Sequence, residues 1–195
     1  RLEPHFSVRD YGTGLSDDSV REIFTTYFHS TKTDSNAFVG ALGLGSKSAF
    51  SLVDSFSVVS YYNGTKNDYS CYKDEHGEPQ VALLCSNDTD EPNGIEVSMT
   101  VNGREDDFED EAVNVFKYFD VLPNINNQDV VKEVVRAKED YKFVCDEGSF
   151  NTGYGGLYAR MGNVAYKIPH DYRSDLSGFV NFEIGDLSFN AGREE

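Results

Sequence analysis

Asp10-Tyr11-Gly12-Thr13-Gly14, followed at a distance by Gly40-Ala41-Leu42-Gly43-Leu44-Gly45-Ser46-Lys47-Ser48, is the part of the chain from which its architecture can be read. Glycines at 12 and 14 let the main chain turn tightly beside Asp10, so that its carboxylate faces a cavity with no Cβ in the way. A buried carboxylate only accepts hydrogen bonds, which suits an exocyclic amine such as that of adenine. Gly40, Gly43 and Gly45 would expose successive N–H groups as an anion nest. A helix entered at Ser46 adds the positive end of its dipole, a geometry that suits di- and triphosphates. Lys47 contributes a point charge, and Ser30, Thr31, Ser46 and Ser48 contribute hydroxyls. Each of these also has a plain reading as a solvated lysine or an ordinary cap.

A Walker P-loop is the obvious competitor for the glycine run. It needs Gly-x-x-x-x-Gly-Lys-Ser/Thr after a buried strand, and here Ser46 intervenes between Gly45 and Lys47. The segment before the glycines, 30–38, is polar and lacks periodicity, so it reads as a loop ending in a glycine hinge.

Working outward, Val20, Ile23, Phe24, Tyr27 and Phe28 fall on the stripe of an amphipathic helix over 16–28, with Ser16, Asp17 and Asp18 as its start signal. A short helix over 46–53 follows, with Ala49, Phe50 and Val53 inward. Four β-like runs at 56–62, 68–73, 80–85 and 95–101, separated by turn-rich stretches, predict an antiparallel meander. A helix is expected over 107–119, a linker at Pro123-Asn124-Ile125-Asn126-Asn127, and a charged helix over 129–141. Strands are expected at 157–161, 164–168, 179–184 and 187–189. This places a domain boundary between 1–122 and 123–195, the second part reading as the start of another α+β unit.

The 195 residues carry 17 Lys and Arg against 34 Asp and Glu, a formal charge of −17, which argues against a nucleic-acid-coating protein. With 14 Phe and 12 Tyr, and charges mixed along the chain, the composition is that of a folded acidic protein rather than a disordered one. No apolar run approaches the roughly 20 residues that span a bilayer. The chain starts at Arg1 with no secretory leader, as a piece cut from a longer protein would. Cys71, Cys85 and Cys145 are odd in number and widely spaced, which suits reduced thiols in a cytosol-like compartment. Neither they nor the histidines have zinc-site spacing, so no protein-held metal is expected.

In order and spacing, these blocks resemble the GHKL ATPases, the superfamily of gyrase B, the ninety-kilodalton heat-shock chaperones, histidine kinases and MutL, which share the Bergerat nucleotide fold. Asp10-x-Gly12-x-Gly14 is similar to the adenine-binding box, and Gly40-x-x-Gly43-x-Gly45 to the lid-hinge and phosphate box. Gly94-Ile95-Glu96-Val97 lies where a third box is expected. There the family places Thr after the glycine, and Ile95 departs from it; a neighbour such as Ser98 would have to substitute, or the match is strand chemistry only. The resemblance implies an α+β, Bergerat-type sandwich: a mostly antiparallel sheet with helices on one face, followed by the start of a second α+β domain. Within the superfamily, Tyr27-Phe28-His29-Ser30-Thr31-Lys32, the run from Gly40 to Phe50 and Val53-Asp54-Ser55-Phe56 resemble blocks of the phage rIIA-like lysis-inhibition proteins. The stretch from Ile184 to Glu194 resembles that family's closing Ser-Arg-Glu motif, with Gly192 in place of the Ser; the motif is itself similar to a chaperone middle-domain loop whose arginine, here Arg193, reaches the γ-phosphate of ATP.

The resemblance implies ATP or ADP with Mg²⁺ as ligands, bound by Asp10, Gly12, Gly14, Ser30, Thr31, Lys32, Gly40, Gly43, Leu44, Gly45, Ser46, Lys47 and Ser48, with the 31–39 loop as lid. It implies a homodimer or a phage or host protein as partner, and a host-cytoplasmic location peripheral to the inner membrane. The family's first box, a helix whose Glu polarises the attacking water and whose Asn holds Mg²⁺, has no counterpart in residues 1–9. Asp110-Glu111-Ala112-Val113-Asn114 has roughly that spacing but reads as a surface helix. The parent is therefore expected to be an ATPase and this piece to lack its catalytic helix. The rival readings are a non-catalytic nucleotide-sensing or interaction module, and an acidic interaction protein without nucleotide.

Overall fold

A computed structural model of the chain describes residues 4–25, 45–139, 143–145, 148–152, 156–168, 176–183 and 186. Those up to Glu105 form one compact unit, and those from Asp106 onward form a second.

Residue alternation builds the first sheet. In β2 (Ser55–Tyr62), Phe56, Val58 and Ser60 are buried while Ser55 and Ser57 are exposed, the period of a strand with one covered face. β3 (Thr65–Lys73) pairs with it across Asn63-Gly64, where φ is 51° and 78°, the positive pair that a tight two-residue hairpin requires. β4 (Pro79–Asp88) pairs with β3, β5 (Gly94–Thr100) with β2, and β1 (His5–Arg9) with β5, all antiparallel.

The strand order is β1-β5-β2-β3-β4, so the four expected strands are present but do not form a simple meander. After β4 the chain returns to the far side of β2. The burial explains this. From Leu83 to Asp88 every residue of β4 is exposed, as on a sheet edge, whereas β5 sets Val97 opposite the fully buried Val58 and is paired on both sides.

One face of this sheet is covered by helices, as expected. The helix α1 (Asp17–Thr25) starts at Ser16, whose Oγ accepts from Ser19 N–H at 3.3 Å, and buries Val20 and Phe24 completely or nearly so. Of the expected helix over 16–28, residues 26–28 lie outside the described ones. Phe24 meets Phe56 with ring centroids 6.1 Å apart, and Phe50 meets the same ring at 4.7 Å. Burying such a side chain contributes about 1.5–3 kcal/mol. Phe50 comes from a 3₁₀ helix, Gly45–Ser51, where the sequence predicts an ordinary helix over 46–53; the N–H groups of Leu52 and Val53 both reach the Ala49 carbonyl, closing it.

The second unit begins one helix ahead of the 122/123 boundary read from the sequence. Helix α2 (Glu105–Phe116) is tied forward: Glu109 accepts from Asn127 Nδ2 at 2.8 Å, and Tyr118 packs against Tyr158 and Phe179, ring centroids 5.5 and 5.6 Å away. Asn127 caps α3 (Gln128–Glu139), its Oδ1 accepting from the N–H groups of Asp129 and Val130, and α3 buries Val130 and Val134. The second sheet comprises β6 (Phe143–Cys145), β7 (Gly148–Thr152), β8 (Leu157–Met161), β9 (Val164–Lys167) and β10 (Leu176–Phe182). Its order is β6-β7-β10-β8-β9, antiparallel except between β8 and β10. The expected strand at 187–189 lies outside the described residues. Among those described, no helix is long and apolar enough to cross a membrane.

Candidate functional site

The Asp10 turn is held from below by two neighbouring strands. Asp10 directly follows β1, its N–H donating to Ile95 O at 2.9 Å, and its Oδ1 accepts from Gly12 N–H at 2.8 Å, the turn that aspartate makes two residues ahead of itself. Gly14 takes φ 72°, and a Cβ there would collide with the carbonyl oxygen of Tyr61 on β2. Gly94, the first residue of β5, lies so close to Asp10 that a Cβ would collide with the Asp10 carbonyl. Two glycines eighty residues apart thus let one loop lie directly on two strand ends.

Asp10 itself is exposed rather than buried, with one carboxylate oxygen used inside the turn. Tyr11 beside it is 69% exposed, and Arg9 lies between two rings, its guanidinium 4.8 Å from the centre of Tyr11 and 4.1 Å from that of Tyr61. Arg9 also reaches Glu91 at 3.2 Å and Pro92 O at 3.4 Å, fastening the stretch before β5 to the end of β1.

At its other end the loop meets Ser60. This hydroxyl is fully buried; it donates to Leu15 O at 2.6 Å and accepts from Leu15 N–H at 3.2 Å. The sequence reading passed over Ser60, although β2 carries the signal: Phe56, Val58 and Ser60 share the covered face, and a hydroxyl at a core position needs a partner. Ser60 stands opposite Ile95 on β5 and Asn67 on β3. Ser98 cannot take the place of a threonine at 95. It is three residues along the strand, about 10 Å away, and an odd separation puts it on the opposite face.

Beyond Leu15 the start of α1 covers a polar cluster. Arg21 Nε donates to Asp17 Oδ2 at 2.9 Å, and this bond, opposed by partial burial, holds the Asp17 carboxyl below the ordinary carboxylate range. Burial pushes the Tyr69 phenol up to about 12, with the nearby Asp17 charge adding to it. The buried Tyr69 hydroxyl lies close enough to Asp17 and Asn67 for each to act on its proton, although Tyr69 Oη, Asp17 Oδ1 and Asn67 Oδ1 make no hydrogen bond of good geometry.

The structure therefore brings together Asp10, Gly12, Gly14 and Gly94. Gly45, Ser46 and Lys47 open the 3₁₀ helix, and Ser48 is exposed with its carbonyl accepting from Ser51 Oγ at 2.7 Å. Being a 3₁₀ helix of seven residues, this element lacks the extended aligned dipole that an α-helix from Ser46 would have supplied. Ser30, Thr31, Lys32, Gly40, Gly43, Leu44 and Arg193 lie outside the described residues. Glu111 and Asn114 sit exposed on α2, as a surface helix places them. Among the described residues no three His, Cys, Asp or Glu side chains are grouped to hold a metal. Cys71 is buried, which pushes its thiol up to about 12, while Cys85 is exposed; both are free thiols. A recess of about 240 Å³ lined by His5, Ser55, Ser57, Ser70, Ser98 and Thr100 lies on the face away from α1 and takes no part in the Asp10 site.

Solved structures share this architecture. The ATPase region of Saccharomyces cerevisiae topoisomerase II matches with a TM-score of 0.51 at 12% identity, over 83% of this chain and 53% of that one. The ATPase and transducer domains of DNA topoisomerase II from Balamuthia mandrillaris match with a TM-score of 0.52 at 12% identity, over 83% of this chain and 51% of that one. The chain spans about half the length of these structures, and at such identity the likeness is one of fold: a mixed α+β architecture with a mostly antiparallel sheet. No protein-family model matches the sequence, and no curated protein matches it.

Proposed function

We propose that the chain is an adenine-nucleotide-binding part of a GHKL-type ATPase, taking ATP or ADP against the sheet wall formed by the ends of β1, β2 and β5. The observation that carries this reading is the Asp10 loop, laid on β2 at Gly14 and on β5 at Gly94, with an exposed carboxylate at its apex. A carboxylate fixed by its own turn can accept from the adenine amine without reorganising, and the glycines leave the surface beside it open to a planar base. Fold likeness to the ATPase regions supports the reading.

In this proposal the phosphates fall to the glycine run from Gly40 to Ser48 and to Ser30, Thr31 and Lys32, with Mg²⁺ arriving as their counter-ion. Arg193 engages the γ-phosphate, and lid closure couples nucleotide state to domain movement. Hydrolysis would need a water-polarising Glu and a Mg²⁺-holding Asn, and residues 1–9 contain no Glu-x-x-x-Asn. The finer assignment, an rIIA-like phage protein acting in lysis inhibition, rests on the sequence blocks at 27–32, 40–50 and 53–56.

Calorimetric titration of Mg-ADP and Mg-ATP into the protein and into its Asp10→Asn form tests the site. Loss of a charge-assisted hydrogen bond of about 1.5–3 kcal/mol predicts a ten- to hundred-fold weaker Kd. Equal binding by both, or none by either folded protein, would sink the adenine assignment.

A further inference from the structure

We propose that Ser60 is a positioning residue that sets the discrimination between adenine and other bases without touching the nucleotide; the proposal rests on the nucleotide reading above. Among the described residues Ser60 is the one polar residue that is wholly buried, and its hydroxyl satisfies both main-chain groups of Leu15. Leu15 pairs with no strand; it is the link between the Gly14 turn and Ser16, the cap of α1. Without the hydroxyl, a donor and an acceptor in a part-buried setting would lose their partner together.

The loop from Asp10 to Leu15 is thus pinned at both ends, by Asp10 N–H on Ile95 O and by Leu15 on Ser60. Ile95, opposite Ser60 in the sheet, is apolar and offers no second hydroxyl to take over. Releasing one end leaves Asp10 its turn to Gly12 but lets the loop that carries this turn shift on the strand ends, and the carboxylate with it, and a hydrogen bond to a ligand weakens steeply with misplacement. Adenine presents an amine donor to that carboxylate, whereas guanine carries a carbonyl oxygen at the same ring position and is repelled by it. The carboxylate's position therefore governs the ratio of ADP to GDP affinity and leaves the phosphates' contribution alone.

The test is the Kd of Mg-ADP, Mg-GDP and Mg-tripolyphosphate for the protein, Ser60→Ala, Ser60→Thr and Ser57→Ala, each well below its own melting temperature. Ser57 is on the same strand but on the other face. The expected result is an ADP Kd about ten-fold weaker in Ser60→Ala, with GDP and tripolyphosphate unchanged, retention of the ADP preference in Ser60→Thr, and no change in Ser57→Ala. Equal weakening of all three ligands, or no weakening of ADP, would overturn the positioning role. If Ser60→Ala does not fold, Ser60→Cys, which keeps the volume but donates weakly, is read by the same ratio. A wild-type protein that binds tripolyphosphate with no ADP preference would overturn the base assignment at Asp10, and this proposal with it, whereas intact wild-type preference with an unchanged ratio in Ser60→Ala would overturn this proposal alone.

Discussion

The first unit fastens its key loop main chain against main chain, while the second fastens its connecting segment with long side chains. At Gly14 and Gly94 two carbonyls occupy space that any Cβ would need, and a small buried hydroxyl closes the loop's far end. In the second unit Arg160 reaches Tyr118 O at 2.8 Å, Asn181 Oδ1 at 2.8 Å and Asp120 at 2.6 Å, with its guanidinium 4.7 Å from the centre of the Phe179 ring. Lys138 donates to Phe119 O nearby. The first arrangement fixes an exposed carboxylate with little freedom; the second is a clasp whose arms have many rotatable bonds. Backbone precision is found where a ligand is proposed, which is what preorganisation of a site requires.

The largest effect is expected from adding one methyl group at Gly14. Alanine there would be strained at φ 72° and would also drive into Tyr61 O, so Gly14→Ala should cost about 3 kcal/mol or more. Gly77 offers the control: its φ is 82°, but a Cβ would meet nothing within 4 Å, so Gly77→Ala should cost only about 1–2 kcal/mol. Urea midpoints of the two variants measure the difference. Equal midpoints would mean that the loop lifts away from β2 at no cost.

Arg160→Met probes the clasp. It keeps most of the apolar stem but removes the hydrogen bonds that Arg160 donates to Tyr118 O and Asn181 Oδ1, and should cost about 2 kcal/mol. Asp120→Asn should cost much less, because Asp120 is 71% exposed and water replaces what it loses. If the two variants were equally harmful, the ion pair rather than the carbonyl contact would be the fastening.

Much of this was legible in the residues, and the failures share a cause. β2 and β3 announce themselves by alternation around Asn63-Gly64, and α1 by its apolar stripe, because each of these signals is local. β1 was missed: its five residues have a meaning only beside β5, some ninety positions away, and a separation of about 33 to 41 positions hid the return of β5 to β2. β6 has only three residues and β7 is weakly apolar, and pairing rather than pattern defines them. At the site, Asp10, Gly12 and Gly14 could be picked out as a turn, but not that the carboxylate would be exposed. The roles of Ser60 and Gly94 required the register, since neither residue has a partner near it in sequence.

The smallest expected effect concerns acid. In the first unit the Asp17 carboxyl is held low, first by the Arg21 hydrogen bond; in the second, Asp129 is held low, first by the Lys132 hydrogen bond at 2.8 Å. For a carboxyl depressed in the folded state, the stabilisation is fully present above its unfolded value near 3.9 and is lost as pH falls through the lower folded value. Stability contributed by Asp17 should therefore be flat from pH 7 to about 5 and decline below about 4. Its side chain is 41% exposed, and discounted for solvent screening the pair contributes only about 0.3–0.5 kcal/mol. Asp17 also has the Tyr69 hydroxyl beside it, whereas Asp129 is 84% exposed and, among the described residues, faces only Lys132, itself 74% exposed. Asp17→Asn should thus flatten the acid limb of the urea-midpoint profile measurably, and Asp129→Asn should leave it unchanged. A larger change from Asp129→Asn would reverse the comparison, placing the electrostatic fastening in the second unit instead of under the Asp10 loop.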